Sequence, residues 1–250
     1  MHKKGQVTIF VIISIFIVIG VVLFFTLGGA NWIYSFNDEQ ANDIKNNVDN
    51  CLKENLIEGL YFVSLQGGYY YLPNSSIKIT DYSVPIYFEK GIKYYLPTKD
   101  LIGEQIGFYL DNNVLECIIT YLNSSVYNLE YENIGQESRI LISDYEISVD
   151  FSYLIKLNHN NKEILFKKFH SSIDFNFKDR HDLINSFNKI IQDSLNYVPE
   201  GKIMDFSLNN NLTYNVFYLP DNSVVYQLIF QNSSELKKPY VFSIGAKYDW

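Results

Sequence analysis

A chain of 250 residues with a formal net charge of −8 and 47% apolar residues has the composition of a folded protein of one large or two small domains, which excludes whole-chain disorder and low complexity. The acidic balance excludes nucleic acid as an expected partner, because binding phosphates calls for clustered Lys and Arg. Against 21 Tyr and 18 Phe there are three Ala (Ala30, Ala41 and Ala246), so aromatic rings must fill much of the core and the strands.

The first predicted element is a membrane span. Val7 to Leu27 carries no charge and is broken only by Thr8, Ser14, Gly20 and Thr26. As a helix it reaches roughly 31 Å, enough to cross a hydrocarbon core of about 30 Å with every backbone polar group satisfied internally. Lys3 and Lys4 precede it; Trp32 and Tyr34 follow at headgroup level, then Asp38, Glu39 and Asp43. The positive-inside rule places the N-terminus in the cytoplasm and the bulk of the chain outside. A removable secretory signal, cut after Ala30, is the rival reading. The apolar run, however, exceeds the roughly 7–15 residues of a secretory core.

At the junction, Lys3-Lys4-Gly5-Gln6-Val7-Thr8-Ile9-Phe10 resembles the leader of archaeal type IV pilin-like proteins with class III signal peptides. The resemblance covers about the first 25 residues. It implies cleavage by a prepilin-type peptidase between Gly5 and Gln6, with the span left attached, assembly of cleaved subunits into filaments through their apolar helices, and other surface proteins as partners. Filament-forming members carry Glu five residues into the mature chain, where this sequence has Phe10. The resemblance therefore speaks for processing more than for assembly. The remainder is similar to single-pass surface proteins of small archaea, a similarity that brings no activity with it.

Beyond Ala30 the chain holds 18 basic and 28 acidic residues, a net charge of −10, which favours solubility and disfavours docking on anionic lipid. Asp38 to Leu65 reads as a helix, with Ile44, Val48, Cys51, Leu52, Leu56, Leu60 and Val63 at three- and four-residue steps and Gln66-Gly67-Gly68 as its stop. Short strands follow at Tyr69 to Leu72, Ile77 to Thr80, Ile86 to Glu89 and Ile92 to Leu96, with Lys90-Gly91 as a hairpin turn. A second helix opens at Thr98 or Asp100 and runs to about Tyr121, with Leu101, Ile106, Leu110, Cys117 and Ile118 inward. Ser124 to Arg139 is the weakest-patterned stretch and marks a boundary.

The second half opens on the clearest strand, where Ile147, Val149, Phe151, Tyr153, Ile155 and Leu157 alternate with mostly polar partners. His159-Asn160-Asn161 reads as a turn, and the returning strand puts Ile173, Phe175 and Phe177 on one face. Asp182 to Val198 reads as a third helix. The tail is β again, at Thr213 to Tyr218, Val224 to Phe230 and Tyr240 to Ile244. The expected class is α+β: a transmembrane helix followed by an extracytoplasmic domain of antiparallel sheets with about three helices. The expected organisation is a basic leader at 1–6, a span at 7–27, a helix-strands-helix part at 31–135 and a β-rich part at 136–250.

Few residues suggest chemistry. Cys51 and Cys117 lie on inward helix faces, and outside the cytoplasm they can form a disulfide that pins the two helices together. Neither has a second Cys or His at ligand spacing, so no metal is expected. His2, His159, His170 and His181 form no paired motif. No nucleophile elbow, Walker loop or dinucleotide fingerprint is present, so no catalytic residue and no cofactor are expected. Asp144, Glu146, Ser148 and Asp150 alternate as the solvated face of the long strand. Four glycosylation sequons begin at Asn74, Asn123, Asn211 and Asn232. Tyr69-Tyr70-Tyr71 and Tyr94-Tyr95 are consecutive, so one ring of each cluster should be core and another exposed.

These residues lead to the expectation of a membrane-anchored surface protein with the lipid bilayer as its first partner, serving as a structural or adhesive module rather than an enzyme. Two alternatives stay open: a membrane-tethered enzyme acting on glycans, which needs convergent acids in a cleft, and an anchored binding subunit of an envelope or secretion complex, which needs an exposed apolar patch.

Overall fold

Helix α1 (Glu39–Leu65) opens the computed structural model, which describes residue 17 and residues 39–124, 129–159, 162–194, 197–231 and 236–249. Residues Asp43–Trp250 form one compact unit. Among the described residues no helix is long and apolar enough to cross a membrane. The expected span at 7–27 lies outside them, apart from Ile17.

The three- and four-residue spacing along α1 does what it predicts: Ile44, Val48, Cys51, Leu52, Leu56, Leu60 and Val63 are all buried. The helix stops where Gly67 and Gly68 take positive φ and their N–H groups cap the carbonyls of Ser64 and Val63 at 3.0 and 2.8 Å. A side chain at Gly67 would also meet the Ser243 carbonyl at 2.9 Å.

Three short strands follow, β1 (Ser76–Lys78), β2 (Ser83–Glu89) and β3 (Ile92–Lys93). The expected strand at Tyr69 to Leu72 is absent. The Gln105 side-chain carbonyl accepts the backbone N–H of both Tyr70 and Tyr71 at 2.9 Å, and this holds the segment as a bend. Helix α2 (Lys99–Ser124) opens on Thr98, whose hydroxyl accepts the Leu101 N–H at 3.3 Å. Ile102, Ile106, Leu110, Val114, Ile118 and Leu122 form its buried stripe.

The stretch Ser124 to Arg139, expected as a boundary, instead contains most of a long strand, β4 (Leu129–Ile142). It pairs antiparallel with β5 (Glu146–His159), which pairs antiparallel with β6 (Lys162–Asp174). β4 lies close against α2 because Gly103 and Gly107 leave room there: a Cβ on Gly107 would meet the Ser138 carbonyl at 3.1 Å. Asp111 of α2 accepts the Ser138 N–H at 2.9 Å. On β5, Ile147, Val149, Phe151, Tyr153 and Ile155 point inward, as their alternation predicts. The strand ends at His159, the first residue of the expected turn, and pairs there with Lys162; Asn160 and Asn161 lie outside the described residues.

Helix α3 (Phe177–Gln192) starts before the expected Asp182, because Asn176 caps it by accepting the Asp179 N–H at 3.2 Å. It also ends before the expected Val198. Pro199 then precedes a further helix, α4 (Glu200–Asn209), so four helices are described where about three were expected. The tail strands are β7 (Thr213–Tyr218), β8 (Ser223–Phe230) and β9 (Tyr240–Lys247).

The larger sheet runs β1-β2-β9-β8-β7, with β3 also paired to β2. It is mixed rather than purely antiparallel, because β2 and β9 run parallel. The described part is therefore α+β. One main core takes side chains from all four helices and from both sheets. A smaller cluster, centred on Ile77, Val84 and Val225, covers the other face of the larger sheet.

Candidate functional site

The disulfide joins Cys51 of α1 to Cys117 of α2, with Cα atoms 5.8 Å apart. An open groove of about 760 Å3 lies beside it, lined among others by Asn47, Glu54, Glu116, Tyr121 and Lys237. Tyr121 donates its hydroxyl to the Asp43 carboxylate at 2.8 Å, a second tie between the two helices. Glu54 and Glu116 are both exposed side chains of this groove.

The second candidate is the solvent face of the three-stranded sheet. Register brings Arg139, Asp150 and His170 into one row across β4, β5 and β6, and Glu137, Ser152 and Lys168 into the next. These residues line a hollow of about 420 Å3. The His170 Nδ1 and the Asp150 carboxylate are 2.8 Å apart. Both side chains are more than half exposed. Nothing keeps water away from them, so this is a solvent-exposed hydrogen bond that lacks the dry, fixed surroundings that general-base chemistry uses. Glu146, Ser148 and Asp150 lie on this solvated side of β5, as the sequence implies, whereas Asp144 falls in the bend before the strand.

The third candidate is an aromatic shelf. Phe62 of α1, Phe108 and Tyr109 of α2, and Tyr70 and Tyr71 of the following bend make a continuous set of ring contacts. The centroids lie 4.8 Å apart for Tyr70 and Tyr71, 5.2 Å for Tyr71 and Phe108, and 5.5 Å for Phe62 and Tyr109. Gly59 makes room for this packing, because a Cβ there would come within 2.8 Å of the Tyr109 ring. Burial pushes the Tyr109 phenol above its ordinary range, and the Glu58 carboxylate beside it adds to the effect. Phe62 and Tyr71 remain exposed, while Tyr69 and Tyr70 pack against the core. The first tyrosine cluster is thus split between core and surface, though in a bend rather than a strand, whereas Tyr94 and Tyr95, expected to split likewise, are both exposed. The shelf itself was invisible in the sequence, since three of its rings come from two helices whose packing brings them to the bend.

No known protein family, characterised protein or solved structure matches the chain.

The remaining predicted residues are scattered. Gly5, Gln6, His2 and Asn232 lie outside the described residues. Asn74 is exposed just before β1, Asn123 sits in the last turn of α2, and Asn211 is exposed at positive φ before β7. His181 stacks on Phe177 with centroids 5.3 Å apart, and its Nε2 lies 3.2 Å from the Pro97 carbonyl. Among the described residues no three His, Cys, Asp or Glu side chains converge as a metal site.

Proposed function

We propose that the chain is a single-pass surface protein, anchored by residues 7–27 and led by a pilin-like leader, whose extracytoplasmic part is a structural or adhesive module. The Cys51–Cys117 disulfide is the observation that carries this reading. Stable disulfides belong to oxidising compartments, and this one lies on the side of the uncharged stretch that the positive-inside rule assigns to the exterior. The acidic surface supports solubility there. The aromatic shelf supports the adhesive half of the reading: exposed, rigid rings offer flat apolar faces suited to the apolar faces of sugars.

Mass spectrometry of the mature N-terminus in the native membrane, with protease treatment of intact cells, tests the proposal. Gln6 as first residue, with 43–250 digestible from outside, is the expected result. Met1 with the same digestion pattern leaves a plain signal anchor and removes the pilin-like leader. Asn31 as first residue removes the anchor.

A further inference from the structure

We propose that β7 is a self-association edge, where a second copy of this chain adds its own β7 antiparallel and continues the larger sheet. An edge strand presents unpaired backbone groups, and proteins protect such edges with charge, Pro or brevity. The other described edges follow that rule. β1 has three residues and ends on Lys78, and β3 has two and ends on Lys93. β4 carries Glu130, Glu132, Glu137 and Arg139, and β6 carries Lys162, Glu163, Lys167 and Lys168. β7 reads Thr213-Tyr214-Asn215-Val216-Phe217-Tyr218, six residues with neither charge nor Pro.

The hydrogen-bonding phase shows which groups are open among the described residues. The Leu219 N–H donates to the Ser223 carbonyl at 2.9 Å, and the β7–β8 register continues from there. Residues 213, 215 and 217 therefore bond to β8, and Tyr214, Val216 and Tyr218 turn their backbone N–H and C=O groups outward.

The rim of this edge combines exposed apolar side chains with one carboxylate, Glu200, at its end. α4 lies alongside β7 in the opposite direction: the Tyr218 hydroxyl donates to Glu200 at one end, and the Leu212 N–H donates to the Ser207 carbonyl at the other, at 3.2 Å. Met204 and Leu208 follow at four-residue steps along α4 from Glu200, the residue that meets Tyr218. Met204 is 52% exposed, Leu208 74%, Tyr218 54% and Phe217 41%.

A second β7 fits this edge in particular. Antiparallel pairing in phase with the open groups sets Val216 opposite Val216 and Tyr214 opposite Tyr218 twice, the aromatic and β-branched pairs that favour cross-strand contact. Between copies of an acidic chain, an uncharged strip is where close approach meets least repulsion.

The test uses the full chain in detergent micelles and in membranes. Val216→Pro removes an N–H that the β7–β8 ladder does not use, so the fold should survive, as circular dichroism and the intact disulfide will show. Sedimentation should find wild type dimeric and Val216→Pro at least tenfold weaker in self-association. Val216→Cys should cross-link to a dimer on mild oxidation in membranes. The proposal is overturned by a monomeric wild type, by an equally dimeric and folded Val216→Pro, or by Val216→Cys that cross-links only to a different protein or to nothing.

Discussion

The hydroxyls of Tyr226 and Tyr248 lie 2.6 Å apart inside the core, on β8 and just beyond the end of β9. Burial holds the Tyr248 phenol up at about 12 and pushes Tyr226 further in the same direction. Buried Tyr87 and Tyr240 shift upward for the same reason.

A steep alkaline loss of stability follows. In the unfolded chain these phenols ionise near pH 10, whereas in the folded chain they stay protonated. Their contribution is fully present below about pH 10 and disappears as pH rises toward and beyond 12, because the folded state then binds more protons than the unfolded one. Each such phenol removes at most about 1.4 kcal/mol per pH unit in that window. Denaturant melts should give equal midpoints at about pH 7 and pH 9 and a sharp fall by about pH 11. Tyr226→Phe should flatten the fall, because one titrating group is gone. Equal midpoints at all three pH values would contradict the argument.

The disulfide gives the second prediction. It spans a sequence separation of 66, and in the chain-entropy picture a loop of that size contributes about 4 kcal/mol by restricting the unfolded state. Cys51→Ser with Cys117→Ser should lower the thermal midpoint by about 10 °C. Reductant should do the same to wild type and nothing further to the double variant. Calorimetry with and without reductant checks both statements.

What could be read in the sequence was whatever a single period carries. α1 and β5 each bury one face, so their spacings of 3.6 and 2 residues are plain. β4 was hidden for the opposite reason. Glu130, Glu132 and Glu137 occupy its first part, and its pairing with β5 shifts register between Glu132 and Glu137, so no clean alternation survives. Its place is set by contacts remote in sequence, with β5 on one edge and the glycine side of α2 behind it. α4 left a trace in Pro199 followed by Glu200, the signature of a helix start. The disulfide was legible as two inward cysteines. The aromatic shelf was not, because Phe62 meets Tyr109 only once α1 and α2 have packed.

The glycine side of α2 makes a pair of opposite predictions. At Gly103 the nearest atom to an added Cβ is the Ile140 carbonyl oxygen at 3.7 Å, an ordinary contact. Gly103→Ala should therefore stabilise by about 0.5–1 kcal/mol, by lowering the entropy that the helix must lose. At Gly107 the Ser138 carbonyl stands at 3.1 Å, and the extra methyl groups of valine have nowhere to go without moving β4. Gly107→Val should destabilise by about 1–3 kcal/mol. Urea melts of the two variants separate the cases. A stabilising Gly107→Val would mean that β4 does not lie against this helix.

The last prediction concerns Tyr71, the most exposed ring of the shelf. Its ring is edge-on to Tyr70 and tilted on Phe108, while its backbone N–H is held by Gln105 and needs no phenol. Removing the ring should therefore cost the fold little, within about 1 kcal/mol in a urea melt. If the shelf is the adhesive surface, Tyr71→Ala should weaken retention of the protein on immobilised polysaccharide by roughly three- to tenfold, the scale of one lost aromatic contact of about 0.5–1.5 kcal/mol. Tyr95→Ala is the matching control, since Tyr95 is exposed but has no part in the shelf's ring contacts. Equal retention of wild type and Tyr71→Ala would remove the shelf from the adhesive reading. Equal loss in Tyr71→Ala and Tyr95→Ala would show that any exposed ring suffices, and that the geometry of the shelf is not what binds.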